Sequence, residues 1–311
     1  MMHRRAVLGT ALGSTLLPLA PLAASTQVLG IQRRSIGDIT VTALLDGHLA
    51  IDPVMLANVE PDALGPLLEQ AFLVGGPVNT PINAYVIETG GRTILVDGGA
   101  AGAFGPTAGK LVDALAAAGV APESIDTVFC THLHPDHVGV FADGDEARFG
   151  GADLVVHGDE LAFWADDGNF AGAGEDVLGF AKMAQAAVAP YAARTVTIKD
   201  GDSVAPGVTA RHLPGHTPGH TGLMLDSDGE TALLWGDIVH VGPVQFARPE
   251  ATIPFDVDQP MAAATRAALF DEVAADRLLV AGSHVSFPSF GHLERSQEGY
   301  GFVPARWQYE L

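Results

Sequence analysis

The chain has 311 residues, 48% of them hydrophobic, with 37 acidic against 16 basic side chains and a formal net charge of -21. That is enough apolar material for one large core or two small ones, and it excludes a disordered chain. The acidic excess repels phosphate backbones and anionic headgroups, so nucleic acid and membrane surfaces are poor partners, although the charge names no partner of its own.

Residues 1–24 read as an export signal, with Arg4 and Arg5 ahead of an apolar stretch and small residues before Ser25. The HRRAVLG start resembles a twin-arginine signal, which implies cleavage near Ala24 and a periplasmic or secreted product. Gly9, Gly13, Pro18 and Pro21 weaken the stretch as a stable membrane anchor. Residues 25–311 are then expected to form a single domain. Its predicted strands are 39–46, 83–89, 93–99, 125–132, 153–157, 231–237 and 277–284, from short apolar runs punctuated by Gly, Pro and Asp. Helical periodicity predicts helices at 110–119, 158–166, 180–188 and 260–274. Strands apolar on both faces, followed by helices, indicate a layered α/β domain.

The lone cysteine, Cys130, excludes an intrachain disulfide and any thiolate site of the CxxC kind. A metal in this chain must therefore be held by imidazoles and carboxylates. The segment THLHPDH (131–137) offers such a set. In extended backbone His132 and His134 point the same way and can share one ion, and the turn at Pro135 brings Asp136 and His137 round to a second. His216, Asp237 and His284 lie at or just after the ends of strand-like runs, so they converge on one sheet edge. The implied sets are His132, His134 and His216 on one ion and Asp136, His137 and His284 on the other. Asp237, with two oxygens, lies between them.

Imidazole-rich ligation with few carboxylates suits Zn²⁺ best, with Mn, Fe or Co as alternatives. His48, His157, His212, His220, His240 and His292 lack a complete ligand pattern and read as structural or supporting residues, although His292 competes with His284 for the last position. Asp97 is placed to accept a hydrogen bond from a ligand histidine.

THLHPDH, PGHTPGH, WGD and AGSH, in this order, resemble the metallo-β-lactamase superfamily. Within it, the stretches from residue 38 onward are most similar to methyl parathion hydrolase-like enzymes. The resemblance implies an αβ/βα four-layer sandwich, two mixed sheets with helices outside, and a homodimer. It also implies an aromatic pocket formed here by Phe104, Trp164 and Phe180, with Ala181 standing where relatives tend to carry a second aromatic. Two divalent ions would share a bridging hydroxide, supported by Asp136 and Asp237, that attacks an aryl ester or a neutral phosphotriester. The same chemistry opens lactones, so an acyl homoserine lactone hydrolase is the alternative. A mono-iron oxidoreductase is the rival class.

Overall fold

The computed structural model describes residues 28–73 and 75–310. The export signal read at residues 1–24 lies outside them. The first half of the chain runs β1 (Ile31–Ile36), β2 (Ile39–Ile51), α1 (Pro61–Gln70), β3 (Val78–Thr89), β4 (Arg92–Val96), α2 (Leu111–Ala118), β5 (Thr127–Phe129) and the single-turn α3 (Pro135–Val138). The small hairpin β6 (Ala142–Asp143) and β7 (Glu146–Ala147) comes next, then β8 (Asp153–His157), α4 (Gly158–Ala165), α5 (Glu175–Val188) and β9 (Thr195–Ile198). The second half runs β10 (Ser203–Ala205), β11 (Val208–His212), β12 (Thr221–Ser227), β13 (Glu230–Leu234), α6 (Gly242–Gln245), α7 (Gln259–Ala275), β14 (Leu279–Ala281), β15 (Gly291–Ser296) and β16 (Gly299–Pro304). Each half builds one seven-stranded sheet, ordered β1-β2-β3-β4-β5-β8-β9 and β10-β11-β12-β13-β14-β15-β16.

Alternation along the strands explains why these two sheets stack with helices outside. Ile94 and Val96 of β4, Phe129 of β5, Ala232 and Leu234 of β13, and Leu279 and Ala281 of β14 all enter one buried cluster between the sheets. Their neighbours face the opposite way, Leu95 and Val128 toward α2 and α5, and Leu233 and Val280 toward α7. Central strands apolar on both faces therefore fill three layers of side chains between four layers of backbone. This is the α/β sandwich that the sequence led us to expect. Among the described residues no helix is long and apolar enough to cross a membrane.

Both sheets are mixed. β4, β5, β8 and β9 run parallel in one, and β13 and β14 run parallel in the other. Parallel strands end on the same edge, and the loops that leave them meet there. The predicted strands 93–99, 125–132, 231–237 and 277–284 overrun their observed ends at Val96, Phe129, Leu234 and Ala281. The chain leaves the sheet early because the residues that follow turn inward, toward partners on other loops. As a result His132, Asp237 and His284 each lie three residues beyond a strand end.

One buried carboxylate fixes the loop after β4. Asp46 sits at a bulge in β2, where the pairing with β3 shifts register between Leu45 and Gly47. Its oxygens accept the backbone N–H groups of Ala100, Gly109 and Leu111 at 2.8–3.0 Å, so it closes the 97–110 loop and supplies an acceptor at the first residue of α2. Asp46→Ala would strand two buried donors and a third at the loop surface, at a cost of about 3 kcal/mol. We predict a melting temperature lowered by roughly 6–12 °C in calorimetry, and an unchanged value would contradict this role.

Candidate metal centre

At the shared edge, loops from both sheets bury a dense set of imidazoles and carboxylates. His132 Nε2 lies 3.0 Å from His134 Nδ1, which lies 3.0 Å from His216 Nε2. Asp136, His137 and His284 form a second group, in which the Asp136 carboxylate stands 3.6 Å from His137 Nε2 and 3.3 Å from His284 Nε2. Asp237 stands between the groups. Its Oδ2 is 3.7 Å from His132 Nε2, 3.4 Å from His216 Nε2, 3.3 Å from His137 Nε2 and 3.0 Å from His284 Nε2. The seven residues singled out in the sequence are thus all gathered in one place. The 130–134 segment is irregular rather than a strand, so His132 and His134 meet through a turn and not through strand alternation.

Around this group, other residues fix which ring nitrogen faces inward. Asp97, which has a positive φ of 64°, accepts from Thr131 N and Thr131 Oγ1, and from His137 Nδ1 at 2.8 Å. Thr131 Oγ1 in turn lies 3.0 Å from His132 Nδ1, so one carboxylate orients two imidazoles, one directly and one through a hydroxyl. His216 Nδ1 faces Asp256 Oδ1 at 2.8 Å, and His284 Nδ1 faces the Pro81 carbonyl at 2.8 Å. With their protons committed outward, the Nε2 lone pairs of His132, His137, His216 and His284 point into the site.

His220 supports the remaining carboxylate. Its Nδ1 donates to the Leu213 carbonyl and its Nε2 accepts from Asp237 N at 2.9 Å. Gly236 permits this contact, because its φ is +58° and a Cβ there would fall 2.5 Å from His220 Nε2.

The electrostatics follow from burial. Burial and neighbouring imidazoles hold His132 and His134 well below the ordinary histidine range. Burial would also suppress charge on His284, but Asp237 and Asp136 raise it to about 10. Burial opposes charge on Asp237 and Asp136 too, and the imidazoles, His137 foremost, pull both well below the carboxylate range. The site therefore draws positive charge into a place that solvent does not screen.

The donor set fits metal cations. Inward-facing nitrogens approach one another at 3.0 Å, while His137 Nε2 and Asp237 Oδ1 are buried with no hydrogen-bond partner. A buried polar atom without a partner is costly, and a cation would satisfy each of these.

Three residues belong to the site without a motif to announce them. His240 Nε2 is 3.3 Å from Asp237 Oδ2, and its ring, read in the sequence as structural, lies with His216 and Asp237 in a third possible ligand group. The only local signal is its position three residues after Asp237, in GDIVH. Asp256, 40 residues from its partner His216, has no spacing cue. Arg266 of α7 is buried, donates to Ile238, Pro249 and Ala251 carbonyls, and lies 3.9 Å from Asp256. It pins the loop that carries His240. His292, the competing candidate, stays out of the site and bonds the Arg277 and Leu278 carbonyls.

The mouth of the site is a cleft whose walls are Leu49, Ile51, Phe104, Phe180 and Phe255, with His134, Pro135, Asp136, His216, Asp237, His240 and His284 at its base. Phe104 and Phe180 meet edge to face, 6.3 Å between centroids. Trp164 does not line this cleft. Its indole is buried behind His134, edge-on at 5.5 Å, with Nε1 bound to Glu160 and its ring stacked on Phe170. Ala181 is buried in the helix-side core, so its small size does not widen the cleft.

Residues 78–284, about two thirds of the chain, match the Metallo-beta-lactamase superfamily. The chain belongs to that superfamily. A crystal structure described as hydrolase AbOPH in the beta lactamase superfamily is 35% identical, covering 91% of this chain and all of that one with a TM-score of 0.86. AidC, described as a dizinc quorum-quenching lactonase in complex with a product, superposes with a TM-score of 0.84 over 90% of this chain and 99% of its own at 23% identity, a likeness of fold. An N-acyl homoserine lactonase of Bacillus thuringiensis is 26% identical over 187 residues, 54% of this chain and 67% of that protein.

This geometry predicts the behaviour of Asp97→Asn. The variant keeps its shape but no longer holds His137 and Thr131 as an anion, so zinc affinity should fall by roughly 10–100-fold in competition with a chromogenic chelator. Undiminished affinity would contradict the role given to Asp97.

Proposed function

We propose that this protein is a dinuclear metal-dependent hydrolase of neutral, apolar carboxylic esters, with lactones as its preferred class. The observation that carries the reading is Asp237, buried between two imidazole-rich groups at the base of a cleft whose hydrophobic walls carry no Lys or Arg among the described residues. His132, His134 and His216 would hold one ion, Asp136, His137 and His284 the other, and Asp237 would reach both. Two such ions, zinc being the best match to these donors, supply a Lewis acid for the ester carbonyl and lower the pKa of water.

The chain's own residues do the rest. Leu49, Ile51, Phe104, Phe180 and Phe255 receive the apolar part of the substrate and exclude water from it. Asp97 and Asp256 hold His137 and His216 in the tautomer that faces the site. His240 lines the cleft beside Asp237, within reach of a substrate oxygen. Among the described residues lining the cleft there is no serine, threonine, cysteine or lysine, and its two carboxylates are assigned to the ions, so water is the attacking group in this reading. Walls without a charged side chain favour an uncharged substrate, and the curated relatives are named for acyl homoserine lactones, which are such esters.

The Phe104–Phe180 pair supports a second reading, hydrolysis of aryl esters and aryl phosphotriesters, whose rings these walls would hold. The two readings divide on Phe180→Ala. If aryl groups are the natural occupants, kcat/KM for a p-nitrophenyl ester should fall at least about ten-fold more than for an acyl homoserine lactone. If lactones are, both should fall together and the lactone should remain the better substrate.

Metal dependence is tested first. Exhaustive chelation should abolish hydrolysis and added zinc should restore it, while Asp237→Ala should lower kcat/KM by about three orders of magnitude. Full activity after verified removal of metal would overturn the proposal.

A further inference from the structure

Glu160, on α4, is fully buried and belongs to none of the ligand motifs. Its Oε1 accepts from Leu133 N at 2.8 Å and from Trp164 Nε1 at 2.7 Å. Its Oε2 accepts from Thr217 Oγ1 at 2.6 Å and from Gly219 N at 3.0 Å. Leu133 stands between His132 and His134, on the loop that leaves the first sheet after β5. Thr217 follows His216, on the loop between β11 and β12 of the second sheet. One side chain therefore joins the two loops whose imidazole nitrogens meet at 3.0 Å.

The chemistry of this contact is selective. All four partners donate, so only a group that accepts at both oxygens satisfies them, and that group is an ionised carboxylate. A glutamine of the same shape would turn an NH₂ toward two of the donors. The fit is also close in space, because a Cβ at Gly219 would fall 2.3 Å from Glu160 N, so the second loop lies against α4 nearer than any side chain permits. Trp164, fixed by Oε1, then presses its ring edge against His134.

We infer that Glu160 is a positioning residue whose carboxylate clamps the two ligand-bearing loops in the register that brings His132, His134 and His216 to one cation. This rests on the dinuclear reading above. The clamp acts on the group built from these two loops. Asp136, His137 and His284 meet through other contacts, among them Asp97 with His137 and the Pro81 carbonyl with His284.

The test is zinc titration of the purified full chain against a chromogenic chelator, with thermal unfolding followed in parallel. Wild type should bind two ions. Glu160→Gln should retain one near wild-type affinity and bind the other at least ten-fold more weakly, and Glu160→Asp should recover part of that loss. Tyr191→Phe serves as a stability control, since this buried hydroxyl bonds only Phe149 N and the Phe141 carbonyl; it should lower stability and leave both affinities unchanged. If Glu160→Gln does not fold, Thr217→Val removes one of the four bonds and should weaken the same ion several-fold. Two ions bound at wild-type affinity by Glu160→Gln, or by Thr217→Val where that variant is the one used, would overturn the clamp and leave the dinuclear reading standing. A wild-type chain that binds no zinc would overturn both.

Discussion

Asp237 Oδ2 lies within 3.7 Å of five imidazole nitrogens, from His132, His137, His216, His240 and His284, and is buried from bulk solvent. A buried carboxylate is stable only where hydrogen-bond donors or positive charge balance it, and converging lone pairs are stable only where something stands between them. Metal cations held by these donors would meet both requirements. The loops after β4, β5, β11, β13 and β14 carry the residues of this one cluster and the groups that orient them. The sandwich provides the means, since the parallel strands β4 with β5 and β13 with β14 end on a common edge.

Support for the cluster is layered outward. Asp97 orients His132 and His137, Asp256 orients His216, His220 holds the backbone of Asp237, and Pro81 holds His284. Beyond them Asp46 closes the loop carrying Asp97 and Phe104, and Arg266 pins the loop carrying His240. Each of these groups is buried and has its hydrogen bonds made within the protein, so the geometry is set before any ligand arrives.

The residues that could be read from sequence are those whose chemistry repeats at short range. THLHPDH puts four candidate ligands within seven positions, and the apolar runs of β4, β5, β13 and β14 announce buried strands. The strand ends are harder to place, because the residues beyond them stay as buried as the strands and turn away for reasons that lie on other loops. β1, with Arg33 and Arg34 in six residues, and the edge pair β15 and β16 have mixed composition and give no clean alternation, so they escaped notice. Glu160 and Asp256 reach partners 27 to 59 and 40 residues away, and no local spacing encodes that. Trp164 was read as a pocket wall from resemblance, and its hydrogen bond to Glu160 places it one layer behind.

Superfamily membership settles the scaffold and leaves the substrate to the cleft, since sites grafted on one fold serve many reactions. Here the cleft is apolar, uncharged at its walls and centred on Asp237. The measurement that bears most directly on the account is anomalous diffraction at the zinc edge from crystals of the zinc-loaded protein. Two peaks per chain, roughly 3.5–4 Å apart, with Asp237 between them, are the predicted result. A single peak, or none at this edge of the sheets, would contradict it.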